Sequence, residues 1–168
     1  MSLKKYSDAS YLDPANDKDI LELEQALDVV LPMELRAFLK QSDGAAFGEE
    51  THRFRVKRKD KFLQPRLEWI FAHDEMRSQT KIFWDSSIYD EKSRPTLPRG
   101  IIVIGSAVDE IDEARIFCDL RDKAPRPGGI YYRHLSFDPY AAGGDNTAGL
   151  ELIAPTFETF LNSLQKRQ

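Results

Sequence analysis

Residues 29–48 read VVLPMELRAFLKQSDGAAFG, and the proline in this stretch predicts where a helix begins. Proline is favoured in the first turn of a helix, because its missing N–H is not needed there and its φ is already helical. Leu31 precedes Pro32 and is therefore restricted to extended backbone. Gly44 can end the helix in a left-handed conformation. The stretch predicts a helix that starts at Pro32 and stops before Gly44.

Helical spacing of apolar residues predicts two consecutive helices around this proline. The stripe of the second helix consists of Leu35, Phe38 and Leu39. Ahead of it, Asn16 or Asp17 can cap a first helix that runs to about Leu27, and acidic residues in its first turn favour the helix dipole. Two short helices joined by a tight connection are typical of an αα-hairpin.

Beyond residue 48 the pattern changes to short runs typical of strands. The six predicted strands lie at residues 51–57, 67–71, 101–104, 114–120, 129–134 and 150–153. Gly105 ends the third of them, and residues 84–99 and 136–149 are predicted surface loops. A helix is predicted over 73–83, and Thr156 caps a final helix. This arrangement predicts an α+β fold, with an N-terminal αα-hairpin and a C-terminal helix packed around a mainly antiparallel sheet.

The composition is that of an ordinary globular domain. The chain has 168 residues, of which 41% are hydrophobic and 31% charged, so we expect one domain over 1–168 with its core at about 17–165. No apolar run approaches the roughly 18 residues that a membrane span needs, and the N-terminus lacks the apolar stretch of a secretory signal. The one cysteine, Cys118, fits a reducing compartment, so we expect a cytoplasmic protein.

Charge is distributed unevenly along the chain. The net charge is −4, but residues 1–50 carry 5 basic and 11 acidic side chains, whereas residues 51–66 carry 7 basic and 1 acidic. Mild overall acidity argues against a general nucleic-acid binder. The basic segment therefore has to be considered by itself.

The order of these motifs resembles the SUKH superfamily of Smi/Knr-like proteins. The opening signature of that superfamily is similar to ILELEQALDVVLPMELRAFLKQSDG; the matching residues are Glu24, Leu31, Pro32, Phe38, Leu39, Asp43 and Gly44. The middle pattern looks like IIVIGS, IFCDL and GIYY, which include Gly105 and Asp119. The closing helix matches at Phe157, Phe160 and Leu161. The chain departs from the pattern at AVDEIDEA (residues 107–114), where relatives are often glycine-rich, and in the long 84–99 segment.

This resemblance implies an α+β fold of the six-stranded type and a role in binding other proteins. Bacterial members of the superfamily are largely immunity proteins that bind and neutralise secreted toxins, often nucleases. Fungal members take part in cell-wall regulation. The superfamily is not known for a shared enzymatic activity, so the resemblance implies no catalytic residues.

The first candidate site is an acidic segment between two predicted strands. It consists of Asp109, Glu110, Asp112 and Glu113. Four carboxylates within five residues could bind a cation or a basic patch on a partner, although the spacing lacks the glycine and distal glutamate of an EF-hand loop. An acidic surface would speed the encounter with a basic nuclease. The plainer interpretation is a solvated turn.

The second candidate is the basic segment at residues 53–66. Its cations are Arg53, Arg55, Lys57, Arg58, Lys59, Lys61 and Arg66, with Phe54 and Phe62 between them. Cations with interleaved aromatic residues can bind nucleic acid. The alternation of Phe54 and Val56 with the cations instead favours the polar face of an edge strand, where lysine and arginine discourage unwanted pairing.

Nucleophilic and metal chemistry have little support. A thiolate mechanism would need Cys118 beside a base such as His134 and a carboxylate such as Asp119, but Cys118 alternates with apolar residues on the predicted core side. No histidine or cysteine pair has the spacing of a metal site, and no phosphate-binding or serine-nucleophile motif is present. We therefore expect no enzyme, no metal and no cofactor.

Aromatic residues outside the helix stripes are candidate interface anchors. They are Trp69, Trp84, Tyr89, Tyr131, Tyr132 and Tyr140. They are equally typical of half-buried sheet positions. Tyr131 and Tyr132 are adjacent in a strand and point to opposite faces, so one of them is expected on the side that the helices do not cover.

The leading hypothesis is a non-enzymatic immunity protein that binds a toxin. The predicted partner-binding residues are the four acidic residues together with Tyr131, Tyr132 and Trp84. A regulatory scaffold for a cellular partner is the main alternative, and a nucleic-acid binder acting through residues 53–66 is a weaker one. The partner, the face that binds it and the oligomeric state are left open.

Overall fold

The fold is described from a computed structural model that covers residue 3 and residues 5–48, 52–85 and 91–165. Tyr89, one of the candidate anchors, and Thr51 lie outside this part of the chain. Within the described residues there are four helices, α1 (Asp17–Leu27), α2 (Met33–Gln41), α3 (His73–Asp85) and α4 (Phe157–Ser163). The same residues form nine strands, β1 (Ser10–Tyr11), β2 (Ala45–Ala46), β3 (Val56–Arg58), β4 (Lys61–Leu63), β5 (Arg66–Ile70), β6 (Ile101–Val108), β7 (Glu113–Asp119), β8 (Ile130–His134) and β9 (Glu151–Ala154).

Seven strands form one antiparallel sheet in the order β1-β2-β5-β6-β7-β8-β9, and β3 and β4 form a separate hairpin. The α+β prediction is confirmed. The main sheet contains five of the six predicted strands, and the two short strands β1 and β2 extend it to seven at one edge, whereas the strand predicted at 51–57 belongs to the separate hairpin. The short strands β1, β2 and β4 were not predicted, since two or three residues show no alternation.

The first helix begins as its capping residues predict. Asn16 accepts a hydrogen bond from the backbone N–H of Asp19, and the Asp19 side chain accepts one from the N–H of Asn16. Pro32 is the N-cap of α2 rather than its first helical residue, with ψ of 148°. Gly44 has φ of 100°, but α2 ends earlier, with an extended C-cap at Ser42. The prediction that Gly44 caps the helix is therefore wrong.

Gly44 is needed for a tertiary contact instead. A Cβ at this position would lie 2.9 Å from the backbone nitrogen of Ala72 and 3.0 Å from the carbonyl oxygen of Ile70. Next to it, the Asp43 carboxylate accepts a hydrogen bond of 2.8 Å from the backbone N–H of His73, the first residue of α3. The Asp-Gly pair thus joins the end of the helical hairpin to the β5–α3 corner.

Gly105 does not end its strand. β6 continues to Val108, and the register with β7 shifts between Val103 and Gly105, as in a β-bulge. A Cβ on Gly105 would lie 2.3 Å from the carbonyl oxygen of Trp69 on β5. The glycine therefore permits close approach of two paired strands inside the sheet.

Both faces of the central strands are covered. Ile116 pairs with Tyr132 on one face, where Phe54 packs edge-on against Tyr132 and against Phe160 of α4. On the opposite face Phe117 packs edge-on against Phe83 of α3. The loop predicted at 84–99 is not entirely at the surface, because its described residues Trp84, Thr96 and Leu97 are buried. Among the described residues, none of the helices combines the length and apolar character needed to cross a bilayer.

The strand predicted at 51–57 is shorter than expected. β3 covers Val56–Arg58 and pairs with β4 of the hairpin, whereas Arg53 makes only isolated bridges to Arg66 and Gln165. Its two faces are as the alternation predicts, with Phe54 and Val56 buried and Arg55 exposed. We call residues 53–66 the basic hairpin below.

Candidate functional site

The acidic segment forms a tight turn between β6 and β7, at residues 109–112, which we call the acidic turn. The side chain of Asp109 holds the base of this turn in place through hydrogen bonds. Asp109 Oδ1 accepts backbone N–H bonds from Ile111 at 2.7 Å and Asp112 at 3.0 Å, while Oδ2 accepts the hydroxyl of Tyr132 at 2.7 Å. His134 Nε2 lies 2.5 Å from the same Oδ2. Both carboxylate oxygens are thus used inside the protein.

The contacts of His134 decide which of its nitrogens carries the proton. Nδ1 lies 3.1 Å from Nη1 of Arg58, and a guanidinium can only donate hydrogen bonds. Nδ1 is therefore the acceptor, and Nε2 donates its N–H to Asp109. The result is a buried network, Arg58–His134–Asp109–Tyr132, that joins the basic hairpin, β8 and the acidic turn.

The network shifts the pKa values of Asp109 and Tyr132. Burial of the Asp109 side chain acts to raise its pKa, but the hydrogen bonds from Tyr132, Ile111, His134 and Asp112 outweigh burial and hold the pKa below its usual range. Burial and the Asp109 carboxylate both raise the pKa of Tyr132. Asp109 is therefore an anchoring carboxylate, and the expectation that it steers a partner from the surface is wrong.

The tip of the acidic turn and the adjoining Glu113 face outward. Glu110 and Glu113 are exposed, and the Ile111 side chain between them is 70% exposed. Asp112 is half-buried and accepts the backbone N–H of Ser136 at 3.0 Å. Hydrogen bonds from Ser136 come first among the causes that lower the pKa of Asp112. The turn presents an apolar tip flanked by carboxylates on a hydrogen-bonded base.

The basic hairpin forms the opposite wall of a groove beside this turn. The groove is lined by Arg53, Phe62, Leu63, Gln64, Asp109, Glu110 and Ile111. Phe62 is 58% exposed, and the Arg55 guanidinium lies over its ring at 4.2 Å from the centroid. Two large exposed apolar residues, Phe62 and Ile111, therefore line one groove whose walls carry opposite charges.

Most of the predicted aromatic anchors do not belong to this surface. Trp84 is buried and donates its indole N–H to the carbonyl of Ile101 at 2.9 Å, and Tyr132 is buried in the network described above. The prediction that Trp84 and Tyr132 are exposed anchors is therefore wrong. Tyr131 is half-buried and pairs with Phe117, four residues along β7 from Glu113, so the structure does not place it beside the acidic turn.

Cys118 is not part of a nucleophilic site. It is fully buried, and burial raises the pKa of its thiol far above the usual value, so the thiolate is disfavoured. Cys118 pairs with Ile130, whereas His134 pairs with Ala114 at the other end of the strands. Asp119 is bound by Arg121 through two hydrogen bonds of 2.9 and 2.8 Å. The three residues are not assembled for catalysis.

The histidines also lie apart, each against an aspartate. His52 Nε2 lies 3.1 Å from Asp8, and His73 Nδ1 lies 2.6 Å from Asp43. In the part of the chain that the structure describes, no group of three or more histidine, cysteine, aspartate or glutamate side chains could hold a metal ion.

The residues that carried the resemblance are mainly structural. Glu24 accepts the backbone N–H of Leu31 at 2.9 Å and pairs with Arg36, so it closes the connection between α1 and α2. Phe38 packs edge-on against Phe157 at a centroid distance of 5.4 Å. The remaining apolar members, Leu31, Leu39, Phe160 and Leu161, are buried.

Sequence reasoning missed the groove and the buried network. Phe62 was considered only as part of a possible nucleic-acid track, and Ile111 was not considered at all. The sequence did contain a signal for this groove, namely an isoleucine between four carboxylates in a predicted turn. A large apolar residue with only charged neighbours in a turn is expected to be exposed. His134 and Arg58 gave no such signal, since they meet across 76 residues.

Comparison with known proteins identifies the family. The profile of the SMI1 / KNR4 family (SUKH-1) matches residues 14–163. A search of curated proteins found no match. The matched region includes both the helical hairpin and the closing helix, whose structural roles are described above. The chain therefore belongs to the SMI1 / KNR4 family (SUKH-1), which supports, in general terms, a toxin-immunity or Smi1/Knr4-type regulatory role.

Proposed function

We propose that this protein is a non-enzymatic binding module that acts as an immunity protein, and that it neutralises a secreted toxin by occluding it. The observation that carries this proposal is the exposed Ile111 at the tip of a turn whose base is held by Asp109. Burying the apolar tip against a partner would be favourable, and a prearranged turn loses little conformational entropy on binding.

The groove beside the turn supports a protein partner rather than a small molecule. Its most exposed apolar side chains are Ile111 on one wall and Phe62 on the other. Large apolar or aromatic residues surrounded by charges are typical centres of protein interfaces. In this proposal Ile111 and Phe62 are the anchors, and Glu110, Asp112 and Glu113 orient a basic region of the toxin, such as the surface of a nuclease.

The test is binding to the secreted toxin encoded beside this gene, measured by isothermal titration calorimetry, together with protection of cells that express the toxin. Ile111→Ala and Phe62→Ala are each expected to weaken binding at least about tenfold, since interface anchors typically contribute more than about 1.4 kcal/mol. Leu152→Ala, another exposed apolar residue, is the matched control and should bind like the wild type.

Two results would contradict the proposal. If no toxin encoded nearby binds the wild-type protein or is neutralised by it, the immunity role is lost. If a toxin binds but Ile111→Ala and Phe62→Ala leave the affinity unchanged, the immunity role stands and the groove is not the contact surface.

A regulatory role with a cellular partner is the second candidate, because the family supports both roles in general terms. The same groove would then bind a host protein. A gene neighbourhood with cell-wall functions and without toxins, and pull-down of a host protein that Ile111→Ala abolishes, would favour this role over immunity.

Nucleic-acid binding is a third candidate, favoured by the exposed cations Arg55, Lys57, Lys59 and Lys61 on the basic hairpin. Neutralising the seven basic residues of the hairpin should abolish a gel shift if this role is real. A gel shift that persists in that variant, or is absent from the wild type, would exclude it.

A further inference from the structure

The N-terminal part of the chain, which includes both helices of the helical hairpin, carries an acidic excess. Residues 5–48 contain nine acidic and four basic side chains. Many of these carboxylates have a basic partner among the described residues. Three form ion pairs with lysine or arginine (Lys18–Glu22, Arg36–Glu24 and Lys40–Asp17), and three more, Asp8, Asp19 and Asp43, lie against a histidine. The carboxylates without such a partner therefore mark the part of the surface where negative charge can attract another molecule.

A groove with a mixed apolar and acidic lining lies where α1 ends. It is formed by the C-terminal half of α1, the connection to α2 and the segment that follows β7. Its apolar lining is Leu21, Val29, Val30 and Leu120, and its acidic lining is Glu24, Asp28 and Asp122. Leu21 is 53% exposed and Val30 is 76% exposed. Large apolar side chains exposed to this degree in one groove are typical of an interaction surface.

Two carboxylates of this groove form no ion pair with the described residues. Glu24 is bound by Arg36 and by the N–H of Leu31, but the side chains of Asp28 and Asp122 are exposed and make no hydrogen bond or ion pair with the described residues. The nearby Arg121 is held by Asp119. Lys123 is exposed and does not form an ion pair with Asp122. The groove therefore combines apolar contact area with uncompensated negative charge.

We propose that this groove docks a cationic, apolar segment of a protein partner. A lysine or arginine would place its charged head between Asp28 and Asp122 and its aliphatic stem on Val30 and Leu21, since such side chains cover apolar surface while keeping the charge solvated. Opposite charges would orient the segment and speed its association.

The groove is a surface separate from the one beside the acidic turn. The strand β7 begins at Glu113, next to the acidic turn, and ends at Asp119, next to the groove. Seven residues of strand span roughly 20 Å. The two surfaces therefore lie at opposite ends of β7, and this inference does not depend on the proposed immunity role.

The test uses two synthetic peptides, one of alternating leucine and arginine and one of alternating leucine and glutamate, titrated into the full chain and followed by amide NMR shifts. The arginine peptide should shift residues around 21–30 and 120–122, and added salt should weaken it. Asp28→Asn with Asp122→Asn should weaken it at least fivefold. Asparagine suits position 28 because Asp28 has φ of 51°, a conformation that asparagine tolerates.

Glu22→Gln is the matched control, because Glu22 is an exposed carboxylate of the same helix outside the groove lining, and it should bind like the wild type. The proposal is overturned if the arginine peptide shifts residues elsewhere, if the doubly neutralised variant binds equally well, or if the glutamate peptide binds as tightly. It is also overturned if sedimentation shows self-association that the double variant abolishes, because the occupant would then be a second copy of this chain.

Discussion

Asp109 and His134 are 25 residues apart in the sequence, and their side chains meet at 2.5 Å between Oδ2 and Nε2. This contact turns a run of acidic residues into an ordered feature. The Asp109 carboxylate is not one of four surface charges but attaches the turn to β8, and through His134 the same network reaches Arg58 of the basic hairpin. Both walls of the groove are thus held in place by one buried network.

Replacing Asp109 by asparagine should destabilise the protein by about 1–3 kcal/mol at neutral pH, since an amide cannot accept all four hydrogen bonds. The folded-state pKa of Asp109 lies below its unfolded value. The carboxylate therefore adds stability that is fully present above the unfolded pKa of about 3.9 and is lost as the pH falls through the folded-state pKa.

Urea unfolding of the wild type and Asp109→Asn between about pH 7 and pH 2 would measure this contribution. The difference in unfolding free energy should be constant above about pH 5 and shrink as the pH falls. A difference that grows on acidification would contradict the assignment of Asp109 as an ionised anchor.

Replacing Glu24 by alanine should cost about 1–3 kcal/mol, because the backbone N–H of Leu31 and the guanidinium of Arg36 both lose their acceptor. Glu22→Ala is the control. Its carboxylate forms only an exposed pair with Lys18, and such pairs contribute well under about 1 kcal/mol. Denaturant midpoints of the two variants are the measurement, and equal midpoints would show that Glu24 does not fasten the helical hairpin.

Replacing Gly105 by alanine should prevent normal folding or cost at least about 3 kcal/mol, because the added Cβ would meet the backbone of Trp69 and neither paired strand can move aside. Gly143→Ala is the comparison. A Cβ there has nothing within 4 Å, so the substitution should reduce the free energy of unfolding by only roughly 1–2 kcal/mol, because alanine disfavours the left-handed backbone of this position. Soluble yield and thermal melting of the two variants should differ clearly, and a Gly105→Ala protein as stable as Gly143→Ala would rule out the close approach.

Replacing Arg133 by methionine should loosen the 136–149 loop. The Arg133 guanidinium is buried and donates to the carbonyls of Thr96, Asn146 and Ala148, and burial lowers its pKa to about 10. Methionine keeps the apolar stem but leaves three carbonyls without this donor, which should cost about 2–4 kcal/mol.

Limited proteolysis would detect the change as new cleavage within 136–149. Arg126→Met, an exposed arginine in a turn, is the matched control and should be cleaved like the wild type. An Arg133→Met protein with the wild-type cleavage pattern would show that the loop is held by other contacts.

The sequence predicted the elements whose signals are local. Asn16 and Thr156 mark the starts of α1 and α4 because capping requires only a side chain and the backbone three residues ahead. The strands from Ile101 to His134 were evident because β-branched and aromatic residues lie between turn residues. The same reasoning placed Cys118 in the core, since it alternates with apolar neighbours.

Other features depended on residues distant in the chain, and their signals were absent or misread. Gly105 was interpreted as the end of a strand because nothing in its neighbourhood reveals that Trp69 lies against it. Trp84 and Tyr132 were predicted to be exposed anchors, yet the carbonyl of Ile101 and the carboxylate of Asp109 satisfy their polar atoms and allow both to be buried.

By itself, the sequence determined the α+β class, the helical hairpin at Pro32 and the family, because caps, periodicity and motif order are properties of neighbouring residues. Only the tertiary structure decided which charges and aromatic residues are available to a partner. Exposure depends on what packs against a side chain, and for Asp109, Tyr132 and His134 that is a set of groups brought together from β3, β8 and the acidic turn. The fold therefore followed from local chemistry, whereas the candidate surfaces followed from contacts across the chain.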